Sequence, residues 1–262
     1  MISSRVHRAI QIGSRQPRPA TRLDASYVWG GVIFGHFGHF ITETLPRLLT
    51  VRTSLRADPG LRILGFAAPG VTSTSLAGLL GFMDLIDVDP ALIDLIDQPT
   101  EVAALIVPRP PFRGRYSYDP SLLPLIDTCG LGAPAPSGER IFVSRGQLAA
   151  KSARVANIAE IEALYQSHGF TLFYPERHSI AEQIARLTAC EVLAGENGSA
   201  LHWSLYSRHI RQVHSLGWTL ALQRGICAVR GQVFRPVRDP WLGRFRGRTQ
   251  SVPVQAVLRA LS

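Results

Sequence analysis

Four stretches of this sequence carry side chains whose types and spacing could do chemistry. The first is Gly35-His36-Phe37-Gly38-His39-Phe40-Ile41-Thr42-Glu43. On a helix, His39 and Glu43 stand at i and i+4, on one face. The carboxylate would then orient the imidazole and stabilise its charged form, and a histidine so placed works as a general base near neutral pH. Two other readings stay open. His36, His39 and Glu43 could bind a metal, although Gly38 breaks regular helix between the histidines and no HExxH-type partner accompanies them. Or the histidines are structural, packed under an aromatic cap. Pro46 disfavours helical geometry at Leu45, so the helix is kinked or starts later.

The second stretch is Ser144-Arg145, just after a strand-like run, with Lys151 and Arg154 close behind. Such cations hold a diphosphate, the guanidinium by paired hydrogen bonds. A solvated basic loop is the plain alternative. The third is Gly195-Glu196-Asn197-Gly198-Ser199, between a strand and a predicted helix. Small residues let backbone N–H groups approach an anion at a helix N-terminus. An ordinary strand-to-helix turn would look the same. The fourth is Arg224–Arg248, where seven arginines face one acid, Asp239, with Trp241 and Phe245 interleaved. It could meet nucleic acid or anionic lipid headgroups, or be a solvated basic face. No recognition-helix, RNA-binding or zinc pattern accompanies it.

The elements that must position these residues are clearest in the second half. Arg140–Ser144, Phe170–Tyr174, Glu191–Ala194 and Ile210–Ser215 read as strands. Asn157 with Glu160, and Ser179 with Glu182, read as helix caps, the second opening a helix over Ile180–Ala189. A further helix is expected from about Ser199. Strand and helix alternate, the pattern of a parallel α/β sheet, and such sheets bind ligands outside the carboxyl ends of their strands. In the first half, Arg62–Ala67 reads as a strand, Ser73–Asp84 as a helix and Val102–Val107 as a buried strand. Residues 1–25 read as a polar arm or a remnant first strand. The Pro- and Gly-rich segment Pro108–Gly138 reads as the connection between halves.

Composition limits the classes. The chain has 262 residues, 46% of them from the AVILMFWYC set and 18% charged, which excludes a disordered chain. No apolar run reaches the roughly 18–20 residues of a spanning helix, and no apolar block follows the N-terminal arginines, so neither a membrane span nor a secretory signal is expected. The formal net charge is +9, and Lys151 is the only lysine among 28 basic residues. A positive protein attracts phosphates and anionic surfaces. Cys129, Cys190 and Cys227 match neither a metal spacing nor a disulfide framework, and read as reduced packing thiols of a cytoplasmic protein.

Taken in order, these residues resemble the family 61 glycosyltransferases, which include bacterial capsular polysaccharide biosynthesis proteins. His39-Phe40, Glu43 and Leu45-Pro46-Arg47 resemble the family's N-terminal signature. Phe142-Val143-Ser144-Arg145, Arg154, Asn157, Gly169-Phe170, Pro175-Glu176, Ser179, Glu182-Gln183 and the run Gly195–His202 follow in the family's order. The chain departs at Ile158, where many members carry an acid, and at Gly-Glu-Asn-Gly-Ser, where many carry Gly-x-His-Gly-Ala.

The resemblance implies a GT-B type α/β fold, two Rossmann-like halves facing a cleft, the first half reduced. The halves would be residues 26–125, on the acceptor side, and 137–262, which bind the nucleotide sugar. It implies an inverting transferase that moves a sugar from a nucleotide-sugar donor to a saccharide or lipid-linked acceptor in surface polysaccharide assembly. No cofactor and no catalytic metal are expected. His39 backed by Glu43 would be the base. Arg145, Lys151 and Arg154 would hold the diphosphate, with backbone donors from Gly195, Asn197, Gly198 and Ser199. Glu182 or Glu196 would accept from the donor ribose. His202 would lie near the loop, or pack on Trp203 and Leu205. Base and donor site would meet only when the cleft closes. The resemblance fits a cytoplasmic enzyme with peripheral contact at the inner membrane face and no nucleic-acid partner. The rival reading is a non-catalytic module of the same fold that uses its arginine face for nucleic acid or an acidic polymer.

Overall fold

A computed structural model of the chain describes residues 21–114, 116–147, 155–217, 221–238 and 251–262. Lys151, Arg154 and the part of the arginine-rich stretch that holds Trp241 and Phe245 lie outside the described residues, as does the arm up to residue 20.

The first sheet holds β1 (Thr21–Ile33), β2 (Arg62–Ala67), β3 (Ile93–Ile96) and β4 (Thr100–Ile106), in the order β3-β2-β1-β4. All its pairings are parallel. β1 is the long central strand. Its first residues alternate half-buried and exposed, which explains why Arg22 and Asp24 fit in it, and its second half turns inward. The boundary expected between residues 25 and 26 therefore falls inside a strand. Between β1 and β2 runs α1 (Leu45–Ala57), and α2 (Ser73–Asp84) follows β2. β4 was expected to be buried. It is instead an edge strand, with Leu105 44% and Ile106 45% exposed.

The segment after β4 is no free linker. It folds into a small antiparallel pair, β5 (Phe112–Gly114) with β6 (Ser117–Tyr118), then a turn capped by Asp119, then α3 (Leu123–Asp127). Tyr118, Leu122, Ile126 and Leu131 are buried in the main core.

The second sheet holds β7 (Arg140–Val143), β8 (Thr171–Phe173), β9 (Val192–Glu196), β10 (Gln212–Leu216) and β11 (Val233–Val237), in the order β11-β10-β9-β7-β8. All its pairings are parallel. β9 is central and buried along its whole length, the apolar Val192–Gly195 and also Glu196 at its carboxyl end. The helices are α4 (Ile158–Ser167), α5 (Ile180–Leu187), α6 (Ala221–Arg230) and α7 (Val254–Leu261). The helix expected from about Ser199 is present as a 3₁₀ helix, Ser199–Tyr206. Its tighter winding lets Leu201, His202, Trp203, Ser204, Leu205 and Tyr206 all be buried.

The two sheets share one continuous core. Leu48, Ile63 and Phe82 from the first half belong to the same buried cluster as Leu193, Trp203 and Tyr206 from the second. Phe142, Tyr165, Phe170 and Val257 form a separate layer on the other face of the second sheet. Asn157 was expected to cap α4. It stands at the N-cap position and donates to Glu160 at 2.9 Å, but its side chain caps no helix N–H; its amide clasps Val252, donating to that residue's carbonyl at 3.0 Å and accepting from its N–H at 2.9 Å. Ser179 and Glu182 do form a full capping box.

Candidate functional site

After β1 the chain makes one helical turn, Phe37–His39, then a π turn, Phe40–Thr44, and then enters α1. Pro46 is the cause. A proline has no N–H, so neither Ile41 nor Thr42 can send its carbonyl to position 46. The helix widens instead, and the Leu45 N–H bonds back to Phe40. Two buried tyrosines satisfy the stranded carbonyls: Tyr206 donates to Ile41 and Tyr118 donates to Thr42 at 3.0 Å. Burial raises both phenol pKa values, so both stay protonated donors. Inside the turn, Thr42 donates to the Gly38 carbonyl at 2.6 Å, and Thr44 accepts from the Phe34 N–H at 3.1 Å.

This frame brings His39 and Glu43 together. His39 Nδ1 and Glu43 Oε1 are 2.5 Å apart. A carboxylate only accepts, so the proton of the neutral imidazole lies on Nδ1 and the lone pair on Nε2. Phe34 stacks on the His39 ring at 5.0 Å between centroids. The His39 side chain stays 44% exposed, open to a substrate. His36 stands edge-on at 5.6 Å. Among the described residues no group of three or more His, Cys, Asp and Glu is arranged to hold a metal ion. Arg47, one turn beyond Glu43, is half-buried. Burial lowers its pKa while the Glu43 charge counters it.

The second wall forms at the carboxyl ends of β7 and β9. These strands are neighbours, yet β7 connects onward to β8 on one side and β9 to β10 on the other, which makes their junction the sheet's switch point. A cavity of about 320 Å³ opens there, lined by Ser144, Arg145, Glu196, Gly198, Ser199 and, from the other half, Phe37. Ser144 is fully buried. Its hydroxyl donates to Glu162 of α4 and accepts from the Gly146 N–H at 2.8 Å, which holds the loop carrying Arg145. A side chain at Gly198 would press on Arg145 Nη1 at 3.1 Å, so glycine there admits the guanidinium. Gly195 does the same for the sheet, because a Cβ would run into the Val143 carbonyl. Glu196 and Asn197 are each only 3% exposed.

The two walls touch without any closure. A Cβ on Gly38 would fall 2.5 Å from Ser199 Oγ, and the Phe37 ring packs 5.8 Å from Trp203. His202 lies just behind this contact. Its Nδ1 donates to Gln223 Oε1 at 2.9 Å, and the Gln223 amide donates to Ser204 at 2.8 Å. Burial, opposed by the Gln223 hydrogen bond and aided by His39 and His36, lowers the His202 pKa to about 4, so it is neutral at pH 7. Among the described residues Glu182 does not line the cavity. Its carboxylate is engaged by Ser179, whose hydrogen bonds hold its pKa low. Its neighbour Gln183 lines the cavity instead, with its amide donating to the Pro175 and His178 carbonyls.

Glu162, Gln223, Tyr118 and Tyr206 are the residues that sequence reasoning missed. Each acts from a distant element through one hydrogen bond, and only Pro46 gave a sequence signal, by predicting stranded carbonyls. No helix among the described residues is long and apolar enough to cross a membrane. A family model described as Glycosyltransferase 61 matches residues 37–213, from the turn that holds His39 into β10. No curated protein matches the sequence.

Proposed function

The chain belongs to glycosyltransferase family 61, and from that premise we propose that it is an inverting transferase working with a nucleotide-sugar donor. The observation that carries this reading is the His39–Glu43 pair at 2.5 Å, on a turn packed against the loop that closes the switch-point cavity. The two parallel sheets are the two halves of a GT-B type fold with a reduced first half. The donor occupies the cavity, with its diphosphate toward Arg145; Lys151 and Arg154, outside the described residues, are further candidate cations for it by the family resemblance. Glu196 accepts from the ribose. Gly198 and Ser199 present backbone donors.

In the reaction, His39 Nε2 takes the proton of the acceptor hydroxyl. The freed oxygen forms a bond to the anomeric carbon from the face opposite the leaving group. The bond from that carbon to the diphosphate oxygen breaks, and the electron pair leaves with the nucleotide. Glu43 stabilises the imidazolium formed, and Arg145 the charge on the diphosphate. His202 and Gln223 hold the wall between base and donor. No cofactor enters these steps. Acceptors are a saccharide or a lipid-linked saccharide of surface polysaccharide assembly, handled at the inner membrane face of a bacterial cell.

The test is a thermal-shift screen against UDP, GDP, CMP and ADP, followed by a transfer assay with the best donor. A ligand that binds the folded state at a hundredfold excess over its Kd adds about 2.7 kcal/mol. A shift with one nucleotide, and its loss in Arg145→Ala, supports the donor site. No shift with any of the four, in a protein that melts cooperatively, counts against it.

A further inference from the structure

A second cavity, of about 510 Å³, lies between α2 and α5, where the two halves meet. Its chemistry differs from that of the donor site. None of its lining residues carries a charged or polar side chain. Gly78, Gly81 and Leu85 form one wall, Gly130 and Gly132 the floor, and Ile180 with Ile184 the other wall. Three main-chain groups on the floor are already paired. Gly130 N–H donates to the Leu85 carbonyl at 2.8 Å, and Ala133 N–H donates to Thr188 Oγ1 at 2.7 Å. The Ala133 carbonyl bonds to the His209 ring at 3.0 Å. Such a groove has nothing to offer a sugar hydroxyl or a phosphate.

It does have apolar surface to cover. Leu85 is 37% and Ile180 36% exposed, both large side chains turned partly to water. Its volume falls within the range of about 300–1,000 Å³ that small-molecule sites occupy. It also adjoins the donor cavity, and Ile180 lines both. An occupant of the groove can therefore present its polar end to the reaction centre.

We infer that this groove holds the hydrocarbon chain of a lipid-linked acceptor, whose hydroxyl-bearing head reaches the donor cavity past Ile180. This rests on the transferase reading above, and it narrows the acceptor from any saccharide to one carried on an isoprenoid or acyl chain. Glycine at 78 and 81 gives the groove its width. A Cβ at either position meets no heavy atom within 4 Å, so a larger side chain there would point into empty space.

That makes the test clean. Gly81→Leu fills the groove while replacing a helical glycine with a better helix former. Gly81→Ala leaves most of the width. The probe is farnesyl monophosphate, titrated by intrinsic tryptophan fluorescence against the full chain. The wild type is expected to bind it saturably, Gly81→Ala to bind it equally well, and Gly81→Leu to bind it about tenfold more weakly or worse, the loss of roughly two buried methylenes. Inorganic phosphate at the same concentrations should not compete. No saturable binding by the wild type, or equal binding by the wild type and Gly81→Leu, overturns the inference. So does a change in oligomeric state on gel filtration with Gly81→Leu in place of a binding defect, because the groove would then be a protein interface. The melting shift with UDP is read in parallel. Its failure alone would sink the donor assignment and leave the hydrocarbon site standing.

Discussion

The Tyr206 hydroxyl donates its hydrogen bond to the main-chain carbonyl of Ile41, two residues beyond His39. A side chain from the second half thereby sets the helical geometry of the segment that carries the candidate base. Tyr118 does the same for Thr42 from the β5–β6 pair. Tyr206→Phe would leave the Ile41 carbonyl buried without a donor, which costs about 1–3 kcal/mol. The expected result is a lower urea midpoint with an unchanged denaturant slope, and a fall in kcat for transfer larger than any rise in KM. An unchanged midpoint would mean that Ile41 finds another donor.

His39→Ala is expected to lower kcat by about 10²–10⁴, the usual worth of a positioned acid–base group. Nucleotide binding should persist, because His39 is not part of the diphosphate site. Glu43→Gln keeps the shape but removes the charge that stabilises the imidazolium. It should lower kcat by a smaller factor and leave the melting temperature near that of the wild type, since the pair is partly exposed. Full transfer activity in His39→Ala would remove it as the base.

The contact between the two walls can be tested through Gly38 and Ser199. Gly38→Ala places a methyl 2.5 Å from Ser199 Oγ, so one wall must move. Overpacking of this kind costs about 1–3 kcal/mol. Ser199→Gly removes the obstructing hydroxymethyl group. The double variant should recover most of the lost stability and activity, a positive coupling in a double-mutant cycle. Strictly additive losses would show that the walls do not press on each other in solution.

Asn157 offers a further stability test. Its amide makes two hydrogen bonds to the Val252 backbone, which anchors the chain just ahead of α7. Asn157→Ala should speed amide exchange across Val254–Leu261 and lower stability by about 1–3 kcal/mol. Exchange that stays as slow as in the wild type would show that packing of Val257 and Ala260 holds α7 alone.

Four strands of the second sheet were legible because each is a short apolar run bounded by turn residues, and because alternation with helices fixes a parallel order; β11, interrupted by Arg235 and Pro236, was not. The Ser179–Glu182 capping box was legible because capping is local. What failed was decided at a distance. Asn157 has the look of a cap, but a chain segment 95 residues away claims its amide. Val102–Val107 is apolar enough for a central strand, and a run of that kind cannot report that it lies at an edge. The helix from about Ser199 was legible but its 3₁₀ winding was not, because nothing in its sequence shows that both of its sides are covered. At the site, the i, i+4 spacing placed His39 beside Glu43, and of the residues named at the strand ends Arg145, Glu196, Gly198 and Ser199 line one cavity while Gly195 and Asn197 do not. Glu182 was misplaced for the reason that made it recognisable: the capping box that identifies it also occupies its carboxylate.

Two buried histidines give the chain a defined acid sensitivity. His202 sits against Gln223, and His214 of β10 accepts a hydrogen bond from Tyr165 at 3.1 Å. His214 Nε2 has no hydrogen-bond partner among the described residues. The pKa of each is lowered to about 4, chiefly by burial, with the charges of Arg235 and Arg140 contributing at His214. In the unfolded chain both return to about 6.5. Between those values the unfolded state binds more protons than the folded one, so stability rises with pH. It is lost as pH falls from about 6.5 toward 4, and above 6.5 these groups contribute no further change. From pH 6.5 to pH 5 the loss is about 2 kcal/mol per histidine. Denaturant unfolding at pH 7 and pH 5 should therefore differ by more than surface carboxylates explain. His214→Gln, which cannot take up a proton in either state, should remove about half of the difference. A variant with the full wild-type pH dependence would show that His214 titrates normally and that the acid response arises elsewhere.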